Sequence, residues 1–439
     1  MKIALISYEY PPDTAYGGIA TYMYQIAKIL THRGHDVEIF TSSPYRSGTH
    51  IEDGIKIHRI IEENRKNIRN FSGRISKVFA ERHAAVHFDV VEGAEAGAHT
   101  KGSLEINPDI PLVIKLHTPT FMIDEINYVE PSLQMKVRRF FGALLRGQKP
   151  KPFVHQIYNI NTDIERLHTL EADEITTPSK ALGEKLIAEW QLPSEKVFHI
   201  PNPYIPSEEL LNIPIETQTD VVTFIGRLEI RKGILELTQA IPNILKQYPK
   251  AKFRFVGAFW PSPQPGLDMR QYIEKQLKRY SNSLEFTGPV PLDSIPSILA
   301  TTDVCVFPSR WENFPNVCLE AMAAARGVVG SNAGGMFDML DAGKAGLLVP
   351  PNAPDKIAEA VIKLLKNPEL RMQLGQTARD RILSEYNLER IASLQEASYI
   401  RAIKKRQALG KRVANNWLRE NVSRNEQPHL LSSFEVENL

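Results

Sequence analysis

Two hydrophobic periodicities alternate along this chain. Short, nearly continuous apolar runs recur, and between them lie longer segments whose apolar positions return every three or four residues. The first pattern marks strands buried on both faces, and the second marks the helices that cover them. In the first half the runs are KIALIS (2–7), VEIFT (37–41), FDVVEG (88–93), PLVIKLH (111–117), EITTPS (174–179) and VFHIP (197–201). The pattern restarts at VVTFIGRL (221–228) and continues through KFRFVG (252–257), LEFTG (284–288), VCVFPS (304–309), VVGS (328–331) and LLVPP (347–351). The expected fold is therefore α/β, with two doubly wound domains of about six strands each.

A seam separates the two sets. The segment IPNPYIPSEELLNIPIETQTD (200–220) carries four prolines and few candidates for burial, as a linker between domains 1–205 and 206–385 should. Helical periodicity dominates after about residue 355, ending in LERIASLQEASYIRAIKKR, read as one helix within 386–410. The polar remainder, 411–439, has no hydrophobic period and is expected to be flexible.

Composition narrows the class without naming it. A chain of 439 residues is too long for one ordinary core, and 42% hydrophobic with 24% charged residues is usual for a globular protein. A net charge of +2 gives no reason to expect nucleic acid. Cys305 and Cys318 sit in apolar company and read as buried free thiols. The N-terminal apolar run stops at Tyr8 and Glu9 without a cleavage site, as a first strand would and a signal peptide would not. No stretch has the length of a bilayer span, so a cytoplasmic protein is expected, at most peripheral at the cytoplasmic membrane face.

Candidate chemistry lies where runs end and helices begin. Gly17 and Gly18 precede a helix expected to start near Ile19 and end by Gly34. They read either as a tight turn needing positive φ or as bare backbone that admits an anion to a helix N-terminus. The spacing of a dinucleotide fingerprint is absent, which argues against a nicotinamide oxidoreductase. Arg227 and Lys232 flank the turn after 221–228, either as a solvated surface or as a diphosphate site at a strand's carboxyl end, with Arg231 left to the surface. In SRWENFPNVCLEAMAAARG (309–327), a helix is expected to begin near Pro315. Free N–H groups of Asn316 and Val317, with Asn313 beside them, then face the same edge. Glu312 and Glu320 flank that helix start, and carboxylates at such positions accept hydrogen bonds from vicinal hydroxyls. A nucleotide sugar has two polyols separated by a diphosphate, which matches this arrangement.

These stretches, taken with IKLHTP, TPSKAL, FTGPVP and AGLLVPP in the same order, resemble the retaining glycosyltransferases of family 4 and their E-x7-E motif. The resemblance implies the GT-B fold of two Rossmann-like domains facing a cleft, with the C-terminal helix crossing back to the first. It implies that Gly17 and Gly18 face the donor phosphate and acceptor side, and that His117 borders the transferred sugar. It implies that Arg227 and Lys232 hold the diphosphate, Glu312 the sugar hydroxyls and Glu320 the ribose, with Val290 offering backbone contacts to the base. Three positions depart from the family pattern: ARGVVGS lacks the usual proline, Asp338 replaces a glutamate after the double glycine, and Pro201-Asn202-Pro203-Tyr204 replaces an Asn-Gly linker.

The resemblance implies a retaining hexosyltransferase acting in polysaccharide or glycoconjugate synthesis, with a nucleotide-sugar donor, no cofactor, and a saccharide or lipid-linked acceptor. No Asp-x-Asp occurs in the chain, so protein cations are expected to do a metal's work at the leaving diphosphate. A sugar-nucleotide 2-epimerase and a catalytically silent binding protein are the alternatives. His83 and His87 have a helical spacing that zinc could use, but further ligands are not evident, and His32 and His35 read as surface groups. Basic stretches at 63–77 and 136–151 lie in the first domain. The second interleaves Phe140, Phe141, Leu144 and Leu145 with cations, as either a solvated amphipathic face or a membrane-surface contact.

Overall fold

The computed structural model describes residues 1–14, 17–62, 68–127, 133–147, 149 and 158–412. Its first sheet contains β1 (Lys2–Ile6), β2 (Asp36–Ser43), β3 (Gly48–Glu52), β4 (Ile55–Ile61), β5 (Val90–Ala94), β6 (Leu112–Lys115), β7 (Glu174–Thr177) and β8 (Val197–His199). The spatial order is β3-β4-β2-β1-β5-β6-β7-β8, and every pairing is parallel except β3 with β4. The second sheet holds β9 (Val221–Ile225), β10 (Lys252–Val256), β11 (Leu284–Gly288), β12 (Val304–Phe307), β13 (Gly327–Ser331) and β14 (Leu347–Val349) in the order β11-β10-β9-β12-β13-β14. This is a doubly wound Rossmann-like order in which the winding reverses between β9 and β12. The first sheet reverses in the same way between β1 and β5. Open α/β sheets bind ligands outside the carboxyl ends of strands at such reversals, so the topology selects two loop clusters before any side chain is considered.

The β3–β4 hairpin was not among the expected strands. Its turn is Asp53-Gly54, with φ of 49° and 79°, the two-residue geometry that an Asp-Gly pair favours. β3 is a mostly exposed edge strand, and β4, though largely buried, carries Lys56, His58 and Arg59 among its apolar residues, so neither reads as a continuous apolar run. The segment 200–220 also differs from a bare linker. It contains a short helix, Glu208–Leu211, and it buries Tyr204, Leu210 and Ile213 in the core of the second sheet. Their burial shows that this stretch is packed along the second sheet.

The helix Leu388–Leu409 crosses back onto the first sheet. Tyr399 and Gln395 each donate to Glu92 on β5 at 2.8 Å, and Tyr22 adds a third bond at 2.7 Å. Further along, Arg401 Nε binds Glu174 at 2.8 Å, and Arg406 and Arg412 both pair with buried Asp173. Arg33 grips Glu396 with two bonds of 2.7 and 2.8 Å, and His35, expected at the surface, meets the same carboxylate at 2.8 Å. The end of the first long helix is thus a docking point, because the returning helix brings an acid to it. Residues 413–439 lie outside the described residues, as do 63–67, 148, 150 and 151 of the two basic stretches. Cys305 and Cys318 are free and buried.

Candidate active site

The chain leaves β9 through Gly226 and Arg227, makes one tight turn at Ile230–Lys232 and enters the helix Ile234–Gln247 at Gly233. Gly233 has φ 72°, and a Cβ there would lie 1.9 Å from the carbonyl oxygen of Pro308. Only glycine allows this approach, which presses the turn after β9 against the end of β12. As a result Lys232 forms an ion pair with Glu312, which also accepts a 3.2 Å bond from Ser309 Oγ. Arg231 stands 3.5 Å from the same carboxylate and 2.9 Å from Glu229, so it belongs to the cluster and not to the solvated surface. Glu312 is 8% exposed. Burial opposes its ionisation, yet Lys232 and Arg231 hold its carboxyl below the usual range. Arg227 remains half-exposed, with its guanidinium 4.9 Å from the Trp260 ring centroid and 3.2 Å from Glu229.

After β12 the chain runs through Glu312 and Asn313 to a helix at Asn316–Ala323. Pro315 caps this helix from outside, with φ −75°, and does not form its first turn. The N–H of Cys318 returns to the Pro315 carbonyl at 3.0 Å, so the N–H groups of Asn316 and Val317 precede the helical ladder. Glu320 is on the helix, and its Oε2 is buried without a hydrogen-bond partner among the described residues. Burial pushes its carboxyl up to about 7. The double glycine then closes over the loop: Gly335 N–H donates to the Glu312 carbonyl at 2.8 Å, and a Cβ on Gly335 would sit 1.7 Å from the Asn313 carbonyl oxygen. Val290 lies in the loop after β11, half-buried against the second core.

At the first sheet, Gly17 caps the helix Gly18–His32. Its φ is −168°, and Gly18 is helical, so the tight-turn reading fails. A Cβ on Gly18 would meet nothing within 4 Å, and one on Gly17 would meet only Glu9, at 3.8 Å. His117 follows β6 and is 9% exposed, with its ring edge-on to Tyr22 and its Nε2 without a hydrogen-bond partner among the described residues. Burial first, and then the Lys115 charge, pushes the imidazole down to about 3, so it is neutral at physiological pH.

One neighbour of His117 belongs to no motif in the sequence. Glu95, just beyond β5, accepts the His117 N–H at 2.9 Å with each oxygen. Burial, and then the charge of Glu165, pushes Glu95 up to about 8. Its signal was position alone: an acid one residue past the strand at the reversal point.

The two halves meet through Asn313. Its Nδ2 donates to the His117 carbonyl, and its Oδ1 accepts from Ser179 Oγ at 2.7 Å. Both ends of the amide are thereby taken by the first domain, so its contribution to a donor site would be positional. Beside it, Lys180 N–H donates to Asp338 Oδ2 at 2.8 Å, which gives the substituted acid a contact across the halves. His83 stacks on Phe79 and Phe88, with interplanar angles of 11° and 15°, and is packed as an aromatic ring. Among the described residues no group of three or more His, Cys, Asp or Glu is arranged to hold a metal ion.

Comparison with known proteins identifies the family. Residues 16–208 match the model of "Glycosyltransferase Family 4", and residues 208–381 match that of "Glycosyl transferases group 1". An uncharacterised glycosyltransferase of Methanocaldococcus jannaschii is 26% identical over 410 residues, covering 89% of this chain and 96% of its own. Sucrose-phosphate synthase from Thermosynechococcus elongatus superposes with a TM-score of 0.67 at 22% identity, over 91% of this chain and 98% of that one. An Anabaena protein solved with UDP-glucose superposes with a TM-score of 0.57 at 17% identity, over 91% and 99%. The fold is GT-B, and the chain belongs to the group 1, family 4-like glycosyltransferases.

Proposed function

We propose that this glycosyltransferase moves a hexose from a nucleotide diphosphate sugar to a hydroxyl acceptor, with retention at the anomeric carbon and without a metal ion. The observation that carries this reading is the meeting of Lys232, Glu312 and, through Asn313, His117 where the two sheets reverse. Lys232 and half-exposed Arg227 supply the charge that a departing diphosphate requires. The N–H groups of Asn316 and Val317, and the backbone at Gly17 and Gly18, add helix N-terminal donors. Glu312 would accept hydroxyls of the transferred sugar and Glu320 those of the ribose, with Val290 beside the base. A neutral His117 suits a site next to a forming oxocarbenium, because it adds no positive charge there. The acceptor oxygen bonds to the anomeric carbon as the carbon–phosphate oxygen bond breaks on the same face, and a phosphate oxygen takes the acceptor proton. The nucleotide sugar is a substrate, and no cofactor enters.

The Anabaena neighbour's UDP-glucose supports a nucleotide-sugar donor. Thermal shift against UDP-glucose, UDP-N-acetylglucosamine and GDP-mannose tests it: at least one should stabilise the protein, and Lys232→Ala should abolish that shift. No response to any donor would contradict the reading.

A lipid-linked acceptor is favoured by the helix Leu133–Leu145, which leaves Val137, Phe140, Phe141, Leu144 and Leu145 exposed beside Arg138 and Arg146. Among the described residues no helix is long and apolar enough to cross a membrane, so the contact would be peripheral. Sedimentation with anionic liposomes should carry the wild type down and leave Phe141→Asp in solution. Equal recovery of both would remove the membrane from the account.

A further inference from the structure

A cavity of about 300 Å³ opens between the loop after β1 and the β3–β4 hairpin, lined by Tyr10, Pro11, Pro12, Tyr24, Glu52 and Asp53. We propose that it is a binding subsite for a neutral sugar unit of a saccharide, separate from the donor cleft.

Its walls are fixed before any ligand arrives. The Asp53-Gly54 turn sets the hairpin tip, and Asp53 is held by the Tyr24 hydroxyl at 3.2 Å and by Lys28 Nζ at 3.4 Å. Buried Arg59 reaches both Glu52 oxygens at 2.9 Å, and Arg46 reaches Glu52 at 3.0 Å. Tyr10 is 2% exposed, and its N–H is tied to Thr14 Oγ1 at 2.9 Å. The Tyr10 and Tyr24 rings lie 6.3 Å apart at 60°.

The chemistry of the lining selects the ligand class. Each carboxylate is already matched by a cation, so the cavity offers no surplus charge to a cationic or an anionic ligand. Spare carboxylate lone pairs remain, and carboxylates accept directed bonds from hydroxyls. The Tyr10 hydroxyl, in a side chain almost wholly buried, has no hydrogen-bond partner among the described residues, and burial suppresses its ionisation. That hydroxyl is not among the enclosed polar atoms without a partner, so it reaches the cavity and can pair with a sugar hydroxyl. Two proline rings and the half-buried Tyr24 ring suit the C–H faces of a pyranose. The volume lies at the lower end of small-molecule clefts, about 300–1,000 Å³.

The cavity shares its loop with the first domain's cleft edge. Tyr10 and Gly17 are separated by seven residues, so they lie at most about 25 Å apart. This subsite would hold a remote sugar of the acceptor, and in that part the inference rests on the transferase reading above.

Saturation-transfer NMR on the full chain, with maltotriose, cellotriose and chitotriose as probes and trigalacturonate as the charged control, tests it directly. At least one neutral trisaccharide should bind, at least fivefold more weakly in Tyr10→Phe and in Asp53→Asn, while trigalacturonate does not. No binding of any neutral probe, binding unchanged in both variants, or equal binding of trigalacturonate would overturn the proposal. Nucleotide-sugar thermal shifts should be the same in both variants as in wild type. Loss of donor shifts from every protein, wild type included, would instead strike the transferase reading, while saccharide binding would still stand.

Discussion

Asn313 Nδ2, beside the helix start of the second sheet, donates to the main-chain carbonyl of His117 at the edge of the first. This bond ties the groups expected around the transferred sugar to the groups expected around the nucleotide. Asn313→Ala leaves a buried carbonyl unpaired, a loss of about 1–3 kcal/mol. Donor turnover should fall about tenfold or more, and Ser179→Ala should fall less. Equal turnover in wild type and Asn313→Ala would show that the bond does not organise the site.

Lys232 and Glu312 form a partly buried pair, so removing the lysine alone has two consequences. Lys232→Ala leaves Glu312 with Arg231, 3.5 Å away, as its remaining cation, so the loss should fall below the roughly 3–5 kcal/mol of breaking a fully buried pair. Melting temperature should drop in Lys232→Ala and recover substantially in Lys232→Ala/Glu312→Gln. Activity should stay lost in both, because the double variant restores neutrality without restoring the cation. Recovery of turnover in the double variant would mean that the pair is structural only.

Glu320 carries a pH signature. Burial raises its folded pKa from 4.5 to about 7, so the native state favours the protonated form. Its contribution to stability is fully present below about pH 4.5 and is lost as pH rises through 7, by at most about 3 kcal/mol. Without donor, Glu320→Gln should therefore gain stability relative to wild type between pH 5 and 7.5. Donor affinity should move the opposite way in wild type, rising as Glu320 ionises to accept ribose hydroxyls. Parallel titrations of melting temperature and donor affinity check both signs, and a flat difference between wild type and variant would contradict the assignment.

Glu95 supports His117 through its main chain. Because burial keeps Glu95 protonated at neutral pH, Glu95→Gln retains an acceptor of similar shape without changing charge. Turnover at pH 7 should remain within about threefold of wild type in Glu95→Gln and fall about tenfold in Glu95→Ala, which leaves the His117 N–H unpaired. A large loss in Glu95→Gln would point to a carboxylate that acts while charged.

The parts of this protein legible in its sequence are those governed by local rules. All six expected strands of the second half form; β9, β12 and β13 are buried throughout and read as apolar runs, while the edge strand β11 alternates between half-buried and exposed residues. The helix after Gly17 begins within a residue of its expected start, since apolar spacing fixes it. The β3–β4 hairpin is hidden because β3 is exposed and polar residues interrupt β4, and its Asp-Gly turn is the signal that marks it. Proline content marks Tyr204, Leu210 and Ile213 as linker because it says nothing about which side chains find a core. Arg231 reads as a surface residue in the sequence because only the close packing of Gly233 on Pro308 brings it to Glu312. Glu95 and Asn313 act through bonds to residues 22 and 196 positions away, a distance no periodicity encodes.

The most direct test of the central claim is the anomeric outcome without a metal. Wild-type protein should be incubated in EDTA with whichever of UDP-glucose, UDP-N-acetylglucosamine or GDP-mannose stabilises it, and released sugar followed by proton NMR from the first minutes. The account predicts slow turnover with water as acceptor, the α-anomer appearing first, and none of this in Lys232→Ala. A β-anomer appearing first, or turnover that depends on added divalent metal, would contradict it.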